Sequence, residues 1–512
     1  MNHLRKPRLA LRAVTLLAAL SGGLTAASAM ELDRVFAAPL SELGFVQALV
    51  ERNLELAYAK RSVLVAETLA SGESGVYEPI LYGTVKHAQT QRQRNVEEMT
   101  SSFTTAGEAK LDEESRQMEL GVRGKTEAGG ELSLSAKRSE RKSNILLKNG
   151  TDLEVSTAIS LSYRQPLLRG RGQLAVEVDW RVARLEALAT AWQYRQQLQK
   201  VTAESLSLFW QVVTADQIVA YRERLLRNAS TLLEAGRERV SAGKLAPLAL
   251  VDLQREQVAR EADLLRAKQT RDEVRLRVLS NLDAPAKHLE DLALRARYEQ
   301  DLAPKPIDLT EALSRWAPYQ VARIRMLQGS LRLQYADNQS RPAADVIMGY
   351  NQTGLADTKG AWDLAKSTAF PDWFVGLNME LGLWGERKAT AQKIAQQERV
   401  RQSDTELAAI ASAFRNDWAT RQRAWERAGS EIRLLKAELQ RRQEVWQAEQ
   451  ARAEQGLSTA SSVMLLEQDV LDSEIRLVDA QGRAEAARLS LMLAQGELLK
   501  HYGVTYEVAQ GL

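Results

Sequence analysis

Residues 153–172 read LEVSTAISLSYRQPLLRGRG, and this stretch joins two different patterns. Up to Tyr163, apolar residues alternate with polar or small ones, which is the period of a β-strand with one apolar face. After Pro166 the chain carries no proline until Pro247, and proline inside a helix costs about 3 kcal/mol. A two-faced strand therefore leads, through a short glycine-containing corner, into a segment that can form one very long helix.

A sevenfold apolar repeat runs through the segment that follows the corner. Such a repeat indicates helices packed in coiled-coil fashion. From about 173 to 240 the helix would reach about 100 Å at about 1.5 Å per residue, far more than a compact domain needs. Except for one serine, its members are apolar: Leu198, Ser205, Val212, Val219, Leu226, Leu233 and Val240.

The helical plan returns after a shift of 213 residues. RVSAGKLAPLALVDLQREQ at 239–257 aligns with RAEQGLSTASSVMLLEQDV at 452–470, and Gly243 then meets Gly456. Glycine suits the point where a helix ends and the chain reverses, because it adopts positive φ freely. Each copy is predicted to be a long helix, a turn at glycine and a return helix. A second sevenfold series precedes Gly456, and we interpret its tryptophans as packing between helices.

The strands are repeated as well. DWFVGLNMELGLWG at 372–385 alternates like the first strand, and the stretches 80–90 and 343–353 are their predicted upstream partners. A run of about eleven residues suits a tilted membrane-spanning strand, although a half-buried sheet of a soluble domain has the same pattern. The first half also carries extra material near 116–140, with a hairpin turn at Gly129. This hairpin is either a surface-exposed excursion or a pair of additional strands.

Composition and short motifs narrow the classes of function. The first 29 residues have a basic start, a short apolar stretch and small residues near Ala29, which predicts a cleaved secretory signal peptide. The chain has no cysteine and four scattered histidines, so neither a disulfide nor a metal site is expected. Sixty-nine basic residues are interspersed with 66 acidic ones, so the sequence shows no concentration of positive charge of the kind that binds nucleic acid. No catalytic or cofactor-binding motif is recognisable, so we expect neither an enzyme nor a cofactor.

These patterns predict a duplicated chain. A signal peptide occupies 1–29, a first repeat 30–290, a linker 291–306, a second repeat 307–500 and a tail 501–512. Within the first repeat we predict a short helix, strands over about 79–166, a long helix over about 170–241 and a return helix over about 247–282. Within the second, strands occupy about 343–384, the long helix about 386–455 and the return helix about 458–500.

This order of elements resembles one family, the TolC-type outer membrane factors, also called outer membrane efflux proteins. Its members are the exit ducts of bacterial efflux pumps and type I secretion systems. The likeness covers nearly the whole chain after the signal peptide. It is carried by the corner QPLLRGRG at 165–172, its counterpart LGLWGERKATAQ at 381–392, and the helix ends Arg239-x-x-x-Gly243 and Arg452-x-x-x-Gly456.

The resemblance implies an α+β, TolC-like duct protomer. Long antiparallel coiled-coil helices would form an α-barrel, and membrane β-strands would form a β-barrel shared by a homotrimer. Such a duct passively conducts substrate from an inner-membrane transporter across the periplasm and outer membrane. Its partners would be a periplasmic adaptor (membrane fusion) protein, the transporter and outer membrane lipid. The protein would then lie in the outer membrane of a Gram-negative cell, with a large periplasmic part.

The resemblance also assigns residues to two regions. The periplasmic tip that contacts the adaptor would contain Arg239, Gly243, Lys244, Leu245, Pro247, Arg452, Gly456, Leu457 and Ser458. The strand-to-helix corners would contain Gln165, Pro166, Gly170, Gly172, Gly382 and Gly385.

The chain departs from the family at the tips. Many relatives carry aspartate six residues beyond the tip glycine, where it contributes to gating, but here those positions are Ala249 and Ser462. The sequence therefore leaves the gating residues open, together with the substrate and the partner pump. A second hypothesis is a periplasmic coiled-coil scaffold or adaptor protein whose strands form a soluble β-domain.

Overall fold

The structure is a computed structural model, and it describes most of the chain after the first 35 residues. The described residues are 36, 38–96, 99, 109–148, 150–243, 246–296, 298, 308–356, 360–367, 369–382, 386–455 and 457–506. The predicted signal peptide at 1–29 lies outside the described residues.

Helices and strands follow one another in two similar blocks, each with a helix of nearly seventy residues. The first block contains α1 (Glu42–Arg52), α2 (Leu54–Glu73), β1 (Ile80–Gln93), β2 (Lys110–Lys125), β3 (Glu131–Ser143), α3 (Asn144–Lys148), β4 (Glu154–Pro166), α4 (Gln173–Ser241) and α5 (Pro247–Asn281). The second contains α6 (Leu309–Arg315), α7 (Ala317–Gln339), β5 (Ala343–Ala356), α8 (Ala361–Lys366), β6 (Pro371–Glu380), α9 (Arg387–Glu454), α10 (Ala460–Gln495) and α11 (Leu498–His501).

Helix α4 fills the proline-free gap and buries five of the seven members of its sevenfold seam; Leu226 and Val240 are half-buried. Leu198 and Val212 are fully buried, and so is Ser205, the serine that interrupts the apolar series. Its hydroxyl oxygen accepts a hydrogen bond of 2.9 Å from the side-chain amide of Asn281, so this buried polar group is satisfied. The corresponding seam of α9 is only half-buried in the single chain, whereas Phe414 beside it is fully buried. The members of this seam are Ala411, Trp418, Trp425, Ile432, Leu439, Trp446 and Ala453.

The six strands form one antiparallel sheet in the order β1-β2-β3-β4-β5-β6. The segment near 116–140, which the sequence left open, therefore supplies strands of the same sheet. Helix α8 interrupts the segment 343–384, where only strands were predicted. It packs closely on the sheet because Gly354 has no side chain, and Thr157 donates a hydrogen bond of 2.7 Å to the carbonyl oxygen of Ala361.

Chain contacts divide the protein into two units that do not coincide with the sequence repeats. One unit comprises 1–63, 190–321 and 408–512, and the other comprises 64–189 and 322–407. Each unit thus combines equivalent portions of both repeats. The first unit has an apolar core in which Phe45 of α1, Phe209 and Trp210 of α4 and Leu279 of α5 are almost fully buried. The second unit contains the sheet.

Candidate functional site

One face of the sheet is apolar across all six strands. The register aligns one residue from each strand in a single row: Leu81, Val122, Leu134, Leu161, Tyr350 and Trp373. These side chains are exposed, from 41% at Val122 to 71% at Trp373. Neighbouring rows on this face add further exposed apolar side chains: Val85, Met118, Leu120, Leu132, Met348, Val375, Leu377 and Met379. An exposed apolar surface of this extent marks a site of contact with lipid or protein.

The opposite face of the sheet is mostly polar. The row next to the apolar one consists of Tyr82, Gly121, Ser135, Ser160, Asn351 and Asp372. Because side chains alternate between faces along a strand, adjacent residues such as Leu161 and Ser162 point in opposite directions. The sheet therefore separates an apolar surface from a polar one.

The edges of the sheet are β1 and β6. Within the described sheet each has a single neighbouring strand, β2 and β5 respectively. An unpaired edge presents backbone N–H and C=O groups that can pair with another chain. Because the number of strands is even and every pair is antiparallel, β6 of one copy would run antiparallel to β1 of a second copy.

The corner between β4 and α4 is held by hydrogen bonds that its backbone N–H groups donate to three other segments. Leu167 donates its backbone N–H to Ala344 at 2.7 Å, and the backbone N–H of Gly172 donates to the carbonyl oxygen of Ala128 in the β2–β3 turn at 3.0 Å. The backbone N–H of Gly170 donates to the side-chain oxygen of Asn338 at 2.7 Å. The predicted corner residues Gln165, Pro166, Gly170 and Gly172 all lie here, and both glycines have positive φ, +81° and +93°.

Arg169 connects this corner to the second one. Its guanidinium group forms ion pairs with Glu380 at the end of β6 at 3.1 Å and with Glu386 just before α9 at 3.2 Å. The two strand-to-helix corners, distant in sequence, are thus adjacent in space. Gly382 is exposed in the second corner, whereas Gly385 lies outside the described residues.

A buried carboxylate fixes the first turn of α4 to the segment before β1. Tyr77 donates its hydroxyl to Glu177 at 2.9 Å, and Arg181 forms an ion pair with the same carboxylate at 2.8 Å. Burial of Glu177 favours its neutral form, but hydrogen bonds from Gln173, Arg181 and Tyr77 outweigh that effect and lower its pKa. Burial and the hydrogen bond to Glu177 raise the pKa of Tyr77 to about 12.

The first predicted tip lies between α4 and α5. Arg239 is exposed in the last turn of α4, and Gly243 follows with a φ of +70°, the left-handed conformation that ends many helices. Pro247 is the first residue of α5, where its missing N–H removes no helical hydrogen bond. Ala249 lies in that first turn. Lys244 and Leu245 lie outside the described residues.

The second predicted tip lies between α9 and α10. Leu457 donates its backbone N–H to Arg452 at 2.8 Å, a hydrogen bond that spans five residues at the end of α9. Ser458 donates its hydroxyl to Glu449, which also pairs with Arg452 at 3.2 Å. Thr459 caps α10 by accepting from the backbone N–H of Ser462 at 3.2 Å. Gly456 lies outside the described residues.

Sequence reasoning missed Arg169, Asn338, Tyr77 and Glu177 as parts of the corner. Arg169 lies inside the quoted motif, but its partners are more than two hundred residues away. No local pattern marks such contacts. Among the described residues, no group of three or more acidic or histidine side chains is arranged to hold a metal ion. None of the described helices is both long enough and apolar enough to cross a membrane.

Known structures share this fold. The Campylobacter jejuni CmeC outer membrane channel superposes with a TM-score of 0.65 at 11% identity, over 92% of this chain and 88% of that chain. The Neisseria gonorrhoeae MtrE outer membrane channel, in its open state, has a TM-score of 0.61 at 14% identity, over 90% and 89%. The outer membrane protein VceC from Vibrio cholerae has a TM-score of 0.61 at 12% identity, over 88% and 95%.

No family model matches the sequence, and no curated protein matches it either. The comparison with known proteins therefore rests on the similarity of the structures. The predicted α+β, TolC-like fold is confirmed: long helices and an antiparallel sheet are arranged as in these outer membrane channels.

Proposed function

We propose that this protein is the outer-membrane exit duct of a tripartite efflux pump or type I secretion system. Three copies would close one hollow assembly, through which substrate passes from an inner-membrane transporter to the exterior without chemical change. The chain would reach the outer membrane after removal of the predicted signal peptide. Transport would be driven by the transporter, because no energy-coupling motif is recognisable in this sequence.

The observation that carries the proposal is the exposed apolar face, continuous in register over six strands. Exposure of this face to water would be unfavourable in free energy, since burial of apolar surface stabilises a protein by about 25 cal/mol per Å². In lipid it would be the outer wall of a membrane-spanning sheet, with the polar face lining an aqueous lumen. The antiparallel edges β1 and β6 support closure by identical copies, because open edges are not tolerated in lipid.

An unpartnered stripe on α5 supports self-association of the helical part. Leu248, Val251, Val258 and Leu265 follow a spacing of three and seven residues, and they are between 57% and 75% exposed. Such a stripe is the seam of a coiled-coil contact. The half-buried seam of α9 offers a surface of the same kind in another copy.

The helix ends are the proposed contact with a periplasmic adaptor protein. Arg239 and Arg452 bring a positive charge to the last turn of α4 and α9. Pro247 begins α5, and Leu457 and Ser458 lie in the turn before α10. Gly243, with Gly456, Lys244 and Leu245, completes the proposed surface. Double substitution of both arginines by glutamate should abolish adaptor binding but leave the assembled duct intact.

Bilayer conductance and membrane fractionation test the proposed function together. Purified assemblies inserted in planar bilayers should produce discrete, long-lived conductance steps, and the protein should pellet with membranes as a detergent-stable trimer. A protein that stays in the soluble fraction, with no conductance, would favour the alternative of a periplasmic scaffold with a soluble β-domain. The exposed apolar face of the sheet is the feature which that alternative leaves unexplained.

A further inference from the structure

The two halves of the chain contribute unequally to the sheet. Among the residues that the structure describes, the first half supplies β1 to β4, whereas the second supplies β5 and β6. In the duplicated pattern β1 corresponds to β5 and β4 to β6. The strands β5 and β6 pair with each other directly, but β1 and β4 are separated by the β2–β3 hairpin. The β2–β3 hairpin is therefore an insertion between β1 and β4, and the described part of the second half has no equivalent of it between β5 and β6.

The inserted hairpin carries the same outer surface as its neighbours. Val122 and Leu134 lie in the row between Leu81 and Leu161, and they are 41% and 51% exposed. A polar excursion into water would have no need of an apolar row in register with the flanking strands. The hairpin is thus part of the same two-faced sheet as β1 and β4.

The turn of the hairpin is fastened to the corner. The carbonyl oxygen of Ala128 accepts hydrogen bonds from the backbone of Gly172 at 3.0 Å and from the side chain of Gln165 at 3.2 Å. The segment before β1 and the start of α4 also meet at this end, through the 2.9 Å hydrogen bond between Tyr77 and Glu177. The turn of the hairpin therefore lies at the same end of the sheet as the strand-to-helix corner. From there β2 extends along β1, and β3 extends along β4.

We infer that the β2–β3 hairpin widens the membrane part of the duct, so that three copies close a wall of eighteen strands instead of twelve. This inference rests on the proposed trimeric duct. Strands about 4.8 Å apart and tilted by about 40° give a wall about 36 Å across for eighteen strands and about 24 Å for twelve. The wider count falls in the range that leaves an aqueous channel.

Excision of residues 94–149 would remove the insertion without changing the faces of the remaining strands. Ala88 and Glu154 lie in one row of the present sheet, so β1 and β4 can pair in that register with each side chain on its original face. Residues 89–93 and 150–153 then remain to form the turn.

Distances between spin labels on symmetric copies measure the width of the wall directly. The chain contains no cysteine, so one introduced cysteine places one nitroxide label on each copy. Ser162→Cys on β4 and Ser135→Cys in the hairpin both lie on the polar face. In a three-fold ring the Cα atoms of the labelled residue should be about 31 Å apart for eighteen strands and about 21 Å apart for twelve. Both labels point into the lumen, so the nitroxides lie closer together than the Cα atoms by the same amount in either ring.

We expect both labels to report nearly the same distance in the full chain, and Ser162→Cys to report a distance about 10 Å shorter after the excision. A short distance at Ser162→Cys in the full chain, or a distance that the excision leaves unchanged, would overturn the inference while leaving a trimeric duct intact. Clearly different distances at the two positions would do so as well, even if the excised variant did not fold. Absence of any interchain distance would refute the trimeric duct itself, and the inference with it.

Discussion

Substitution of Leu161 by arginine tests which face of the sheet meets lipid. Leu161 lies midway along the apolar part of β4, between Ile159 and Tyr163, and its side chain is 44% exposed. Arginine on the lipid face of a membrane strand costs about 2–4 kcal/mol near the bilayer midplane. We therefore expect Leu161→Arg to lower the equilibrium constant for folding by about 30-fold to 1,000-fold per chain.

The next residue provides a matched control. Ser162 belongs to the same strand and is also exposed, but its side chain points to the polar face. Arginine at this position would face an aqueous lumen, so we expect Ser162→Arg to change stability by less than about 1 kcal/mol.

Equilibrium unfolding in phospholipid vesicles measures both variants on one scale. Tryptophan fluorescence can follow the transition, because Trp373 lies in the same apolar row as Leu161. Equal stability of the two variants would refute the assignment of the apolar face to lipid. A larger loss for Ser162→Arg would mean that the sheet has the opposite orientation.

Three further predictions concern the corner, the hairpin turn and the helical core. Because the pKa of Glu177 is lowered in the folded protein, its stabilisation is complete above its ordinary value of 4.5 and is lost as the pH falls through the lowered value. Glu177→Gln should therefore remove part of the acid dependence of the thermal midpoint and also weaken the contact with Tyr77. Gly129→Ala should destabilise the hairpin by about 1–3 kcal/mol in denaturant titrations, since φ is +90° and the new Cβ would lie 2.3 Å from the carbonyl oxygen of Gly170. Gly124→Ala, whose nearest neighbour would be at 3.8 Å, serves as its control. Trp210→Ala should cost about 3–5 kcal/mol by calorimetry, because its ring is 1% exposed.

The structure explains why the long helices could be predicted from the sequence and the contacts of the corner could not. The proline-free gap and the two sevenfold series predicted long helices, and α4 and α9 are 69 and 68 residues long. Helix periodicity is local, so the residues that specify it are close together in the chain. The corner was recognised from its own residues, but its ties to Asn338, Glu380 and Glu386 come from distant segments. The tip assignments and the duplicated domain plan remain predictions.

The sequence by itself determined the long helices, because the proline-free gap and the sevenfold repeats are local patterns. It also determined the two-faced character of the strands, because a period of two residues assigns each side chain to one face of its own strand. The fold class came from the resemblance to the TolC-type outer membrane factors. Only the tertiary structure decided which strands are neighbours. It placed the 116–140 segment between β1 and β4 and aligned six separate alternations into one apolar row. The physical reason is that strand pairing joins backbone groups far apart in the chain, and the same alternation is compatible with many neighbours and registers.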